Sequence, residues 1–459
     1  MDKPKLTVLP LIMEQYDAWC PELRPAQEPF LRRVMTSLEC CGAATSPGIC
    51  STRAGVEAAV AQAETEGADL LVVVLLSYTP SLIALPALAR TRLPVLLLNT
   101  TPRADMGPDI GANDYLENHA IHGVQDLANV LLRAGKRPWI VSGHLDDPAL
   151  VPKVEAHAAA AAAARLWRSL RVGRVGAIFP DMGDLSFDAT ALLHSGPNVV
   201  DIPPGEYAAA WVNAPGEEID ALVAEYQRLY EAERVGEECL RATARAESAV
   251  RAIAARHGLG ALAFSFLVFE HLPPELAMPF VGVSRLMAEG IGYGGEADAL
   301  GAAAVAALHR LTGCAGFTEM FCPDWEHGEV LMSHMGETNP QFARTRPILL
   351  EKPSLLESGS PSGVLLFESE PGPATLASFT TAPSGRLRWV VTEGDISPSP
   401  IYPALNAPHC KFRPQQPLPD FLTAYSEAGG SHHLTLCRGH VASRIERLSE
   451  LIDVEYRPV

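Results

Sequence analysis

Asp69-Leu-Leu-Val-Val-Val-Leu-Leu76 is an apolar run behind a single acid, far short of the length a membrane span needs. A run of this length suits a strand buried on both faces, as in a parallel sheet covered by helices. The flanking sequence repeats the theme. Upstream, Leu6–Met13 reads as a strand, and Phe30–Cys41 and Gly55–Glu66 as helices. Downstream come a short helix (Ser81–Leu88), a strand (Leu93–Asn99), an amphipathic helix (His122–Ala134), a strand (Pro138–Ser142) and an Ala-rich helix (Val151–Leu170). Strand–helix alternation implies a doubly wound α/β domain, with ligands near the carboxyl ends of the strands.

A second α/β unit opens at Arg174-Val-Gly-Ala-Ile-Phe179. It continues through the helices Glu217–Ala232 and Gly236–His257, the strand Ala261–Val268 and the helix Glu296–Leu311. From about residue 313 the pattern changes to short strands parted by Pro, Gly and Ser: Gly363–Glu368, Thr375–Thr380 and Leu387–Thr392. That pattern predicts an antiparallel sheet or small barrel, closed by a helix (Ala442–Ile452) and a strand (Val454–Arg457). The expected fold class is therefore two doubly wound α/β domains followed by a β-rich, barrel-like one. The expected domains are residues 1–171, 172–312 and 313–459 of the 459.

Lys and Arg total 36 against 54 Asp and Glu, a formal charge of −18, which repels nucleic acid and anionic membranes and suits a neutral small molecule. Signal-peptide features are missing from the start of the sequence, and the nine cysteines are odd in number without a CxxC. A cytoplasmic protein with reduced thiols is the expectation.

Four residues of the second half stand in unusual settings: Glu296 in Gly292-Tyr-Gly-Gly-Glu-Ala-Asp298, Glu319 in Phe317-Thr-Glu-Met320, His334 in Leu331-Met-Ser-His-Met335, and His433 in Gly429-Gly-Ser-His-His433. Two carboxylates and two imidazoles form a mixed oxygen/nitrogen set for a six-coordinate divalent ion. Each residue also has a plainer reading. Glu296 can complement a helix N-terminus, Glu319 can be a paired structural acid, and His334 a satisfied core histidine. His432 and His433, if adjacent on a strand, point to opposite faces, so only one serves a given site. What unites the four is their neighbourhood: glycine clusters that allow close approach, and polar groups among apolar ones that need a partner.

These settings, with Ser333-His-Met-x-Glu-x-x-Pro340, resemble in order and approximate spacing those of the L-arabinose isomerase family, with its L-fucose isomerase relatives. Ser284–Gly290, Glu117–Gly123, Gly143-His-Leu-Asp146 and Gly372–Ala377 resemble further family segments, so the likeness spans most of the chain. The resemblance implies an aldose–ketose isomerase of carbohydrate metabolism, working through an enediol with a Mn²⁺-type ion on Glu296, Glu319, His334 and His433. The two glutamates would double as acid and base. It implies His122 as a sugar contact in a neighbouring subunit's site, Met182 as a pocket residue, and a homo-oligomer, trimer or hexamer. The chain also departs from the family. Leu11-Ile-Met-Glu-Gln-Tyr-Asp17, holding the sugar-contact candidate Gln15, replaces Gly-Ser-Gln-x-Leu-Tyr-Gly, and Phe321 stands where Tyr is usual. A sugar-binding or regulatory homologue, or a metal-dependent lyase or epimerase, is the alternative.

Overall fold

Five parallel strands form the first sheet, in the order β2-β1-β3-β4-β5: β1 (Lys5–Leu11), β2 (Ala43–Thr45), β3 (Leu70–Leu75), β4 (Val95–Asn99) and β5 (Trp139–Ser142). Every residue of β3 is buried, as expected for a central strand covered on both faces. The helix Ile121–Arg133 lays Val124, Leu127, Ala128 and Leu131 against this core, the spacing of one helical face. The computed structural model describes residues 3–354 and 359–459, and the chain divides into two units, one running to Arg165 and the other from Leu166 to Val459.

The second unit opens with a parallel sheet, β7-β6-β8-β9, made of β6 (Arg171–Val175), β7 (Asn198–Ile202), β8 (Ala261–Phe264) and β9 (Gly292–Gly295). β9 is Gly-Tyr-Gly-Gly, a sequence without strand propensity. Its glycines are there for packing. A Cβ at Gly292 would lie 2.1 Å from the carbonyl oxygen of Ala302, and one at Gly294 2.2 Å from that of Asp298. The Ala-rich helix Ala299–Thr312 therefore rests directly on the strand backbone, and tertiary contact overrides local preference.

A six-stranded antiparallel barrel follows: β10 (Ala315–Asp324), β11 (Glu329–Ser333), β14 (Gly372–Thr381), β15 (Leu387–Ser397), β16 (His409–Pro414) and β17 (His433–Arg438). The strand order β14-β17-β10-β11-β16-β15 closes because β14 also pairs with β15. Closure removes the free edges. β18 (Glu455–Pro458) adds to β15 in parallel, and β12 (Ile348–Lys352) and β13 (Ser362–Leu366) form a separate antiparallel pair. Val330, Met332, Leu376, Val390, Phe412 and Leu436 belong to the barrel's hydrophobic core.

The expected fold class is what the structure shows. Individual elements shift: the unit expected to open at Arg174 begins with β6 at Arg171, the strand expected over Ala261–Val268 ends at Phe264, and the helix expected from Glu296 begins at Ala299. Among the described residues, no helix is long and apolar enough to cross a membrane.

Candidate metal centre

Glu319 sits on β10 directly opposite Ser333 of β11 on one side and His433 of β17 on the other. Directly paired residues have Cβ atoms about 5 Å apart, so strand register alone places Glu319 beside His433 and next to His334, the residue that follows Ser333. The Oε1 of Glu319 is 3.4 Å from Nε2 of His433 and 3.8 Å from Nε2 of His334. Beneath them Phe317, two residues back on β10, meets both imidazoles edge-on at centroid distances of 4.9 and 4.7 Å. The ring fixes their tilt and keeps water off that side.

Glu296 arrives differently. It follows β9 in a tight turn in which Glu296 and Ala297 have φ of +54° and +60°, the left-handed region that non-glycine residues rarely occupy. Such strain concentrates at functional sites. The turn ends on Asp298, whose side chain caps the helix by accepting from the Gly301 amide at 2.8 Å. The Oε2 of Glu296 reaches 3.7 Å from Nε2 of His433. Gly295 leaves the room needed, since a Cβ there would lie 2.7 Å from Cε1 of His334.

Each imidazole is held from behind by a carboxylate. Nδ1 of His334 donates to Glu337 at 2.7 Å, Nδ1 of His433 to Asp298 at 3.0 Å, and Nδ1 of His432 to Asp184 at 2.6 Å. With Nδ1 occupied, Nε2 is the free nitrogen on every ring, which is the arrangement of carboxylate–histidine–metal triads. Two overlapping groups could hold a cation: Glu319, His334 and His433, and Glu296, His432 and His433.

The charge balance agrees. Burial would lower His433, but Asp298 and Glu319 outweigh it and push the imidazole up to about 10. His432 is raised chiefly by Glu296, and Glu296 in turn is lowered chiefly by His432. The carboxylates thus draw positive charge into the cluster. Two buried atoms, Glu296 Oε2 and His433 Nε2, have no hydrogen-bond partner among the described residues. These two atoms belong to the groups that could share a cation.

Family models for the L-arabinose isomerase central domain and C-terminal domain match residues 189–314 and 314–455. The chain belongs to the L-arabinose isomerase family. It is 27% identical over 392 residues to the L-arabinose isomerase of Anoxybacillus flavithermus, covering 83% of this chain and 78% of the relative. Against the L-arabinose isomerase of an Arthrobacter species the figures are 29% over 381 residues, covering 78% and 73%. A Nocardioides L-arabinose isomerase is 28% identical over 394 residues, covering 83% and 78%. Within this L-arabinose isomerase family member, the two matched segments carry all four sequence-derived ligand candidates.

The structure brings those four together and adds a fifth group. His432 lies in a bend just before β17, outside the strand alternation, so the expectation that it would face away from His433 fails. Its ring lies 4.1 Å from that of His433, and its Nε2 is 3.6 Å from Glu319 and 3.9 Å from Glu296. The orienting carboxylates were also missed, although Glu337 stands three residues after His334 and Asp298 two after Glu296. Asp184 accepts from the side chain of Ser431 and from both the amide and the ring of His432. Met182, two residues before it, is half-buried in the same loop. Phe321 is the extra residue of a β-bulge in β10 and is 52% exposed. His122 and Gln15 belong to the first unit. His122 opens the helix Ile121–Arg133 with Nδ1 2.6 Å from Nε2 of His119, and Gln15 is the exposed residue preceding the short helix Tyr16–Trp19.

Proposed function

We propose that this chain is a metal-dependent aldose–ketose isomerase acting on L-arabinose or a related aldose. Glu296, Glu319, His334 and His433 hold a divalent cation of the Mn²⁺ kind, and the two glutamates serve as acid and base. The observation that carries the reading is the convergence of these groups with every Nδ1 already tied to a carboxylate. When bound, such an ion polarises adjacent carbonyl and hydroxyl oxygens as a Lewis acid.

The protein's own groups move the protons. One glutamate removes the proton from C2 of the open-chain aldose and returns it to C1, through an enediol. The other carries the hydroxyl proton from O2 to O1, so the product differs from the substrate only in where two hydrogens sit. General acid–base groups of this kind contribute about 10²–10⁴-fold. Asp184 fixes His432 at the half-exposed rim, where its Nε2 can hydrogen-bond a sugar hydroxyl. In this reading Met182, Phe321 and Gln15 are sugar contacts, and His122 completes the site of a neighbouring copy in a cytoplasmic homo-oligomer. The three-domain division at residues 171 and 312 belongs to the same reading.

A panel of aldoses assayed with Mn²⁺ and then with chelator tests the proposal. Turnover of at least one aldose, abolished by chelator and restored by metal, is expected. Sugar-induced thermal stabilisation with no turnover of any panel member would replace the isomerase with a binding protein.

A further inference from the structure

Lys352 ends β12, the first strand of the short antiparallel pair β12–β13. Its ammonium is half-buried and donates to the carbonyl oxygens of Met335 at 2.5 Å and Asn406 at 3.2 Å. Among the described residues it has no carboxylate in ion-pair contact. A lysine has a flexible stem and a strongly hydrated head, so one drawn from water onto two carbonyls gives up mobility and solvation for them. Burial pushes its ammonium down from the usual range, and attraction to Glu337 pulls it back up. The strand that carries it is itself pinned. Ser362, opposite Lys352 on β13, accepts from the Met278 amide at 2.8 Å, and the Gly363 amide donates to Thr243 at 2.9 Å.

The Met335 carbonyl and the Gly336 amide are the two ends of one peptide unit. Lys352 holds the oxygen of that unit, and its N–H donates to Oε2 of Glu337 at 2.9 Å. Oε1 of Glu337 accepts from Nδ1 of His334 at 2.7 Å. A charge-assisted bond to a carbonyl polarises the peptide and strengthens the hydrogen bond its N–H makes. The positive charge of Lys352 thus reaches the buried carboxylate through one peptide. We infer that Lys352 is a positioning residue of the metal centre: through the Met335–Gly336 peptide its ammonium holds Glu337 on His334, so that the imidazole presents Nε2 to the cation. The inference rests on the metal-binding reading above and adds a residue that touches none of the ligands.

Calorimetric titration of the full-length protein with Mn²⁺, beside a thermal melt, compares wild type with Lys352→Met and Lys352→Arg. Lys352→Met keeps the stem and removes the charge, and should weaken Mn²⁺ binding about tenfold, as loss of an orienting partner does. Lys352→Arg supplies a cation to the same carbonyl and should stay within about threefold of wild type. A residue that only packs would shift the melt without this pattern. Mn²⁺ bound as tightly by Lys352→Met as by wild type, or no more tightly by Lys352→Arg than by Lys352→Met, would overturn the inference and leave the metal centre standing. Should Lys352→Met not fold, Lys352→Gln takes its place under the same expectation. If wild type binds no Mn²⁺, the metal-binding reading fails, and amide hydrogen exchange over residues 333–339 decides. Faster exchange in the uncharged variant alone supports the hold on Glu337; any other pattern overturns it.

Discussion

Glu319 and His433 lie on paired barrel strands and His334 directly follows a third, so register sets their spacing, whereas Glu296 hangs from one turn with two residues at positive φ. The barrel half is over-determined. Moving one of its ligands means sliding a strand, and a one-residue slip would turn every side chain of that strand to the other face. The parallel-sheet half depends on a few local contacts: Asp298 capping its helix, helix backbone resting on Gly292 and Gly294, and Gly295 leaving space for His334. The barrel holds its ligands by topology, and the turn holds Glu296 by strain that its neighbours must support.

The largest expected effect tests whether the barrel half carries chemistry. Glu319→Gln should cut turnover by about 10³-fold with little change in melting temperature. Initial rates at saturating Mn²⁺, beside a thermal melt, measure this. Turnover within tenfold of wild type would show that the register-set carboxylate does no proton transfer.

Next come the two orienting acids, one in each half. Glu337→Gln and Asp298→Asn should each weaken Mn²⁺ binding by about 10–100-fold, as loss of such partners typically does. Asparagine is still a good helix cap, so Asp298→Asn should leave stability nearly unchanged, whereas Asp298→Ala should lose about a further 1 kcal/mol. Metal titration and chemical denaturation separate the two roles. Equal stability for the Asn and Ala variants would show that the cap does not support the turn.

Acid should weaken the parallel-sheet half through His309, which lies on the helix behind Glu296. Burial lowers this imidazole to about 4, and its Nδ1 has no hydrogen-bond partner among the described residues. Its folded value lies below the unfolded one, so the unfolded chain takes up the proton first as pH falls. The stabilisation is fully present above about 6.5 and is lost as pH falls towards 4, on the order of 2 kcal/mol. Denaturation of the metal-free protein across that range should show this slope, and His309→Leu should flatten it. An unchanged slope in the variant would place the acid sensitivity elsewhere.

The smallest effect concerns the strain itself. Ala297→Gly removes a Cβ from a left-handed position, a gain offset by glycine's larger backbone entropy, so stability should change by less than about 1 kcal/mol. Metal affinity should nevertheless fall, because the freed turn no longer fixes Glu296. Unchanged affinity measured by calorimetry would mean that contacts other than backbone conformation hold the turn.

Much of the fold was legible because its signals are local. Leu70–Leu75 announces a doubly covered strand by composition, and Ile121–Arg133 announces its buried face by spacing. β9 was missed because Gly-Tyr-Gly-Gly has no strand propensity and is extended only because a helix packs on it. β10, β11, β16 and β17 were missed because their polar and bulged stretches, which carry or flank the cluster, break the apolar alternation that marks a strand. For the same reason the expectation that His432 faces away from His433 failed. It assumed a strand through both, and the strand begins only at His433.

By itself the sequence determined which segments fold as α/β and which as β, and it singled out two glutamates and two histidines by their unusual neighbours. Those properties are written in residues a few positions apart. Only the tertiary structure decided that β10, β11 and β17 align Glu319, His334 and His433, that His432 turns inward with them, and that Asp184, Asp298 and Glu337 hold the rings from behind. The register that puts Glu319 beside His433 pairs segments more than a hundred residues apart, which no local pattern encodes.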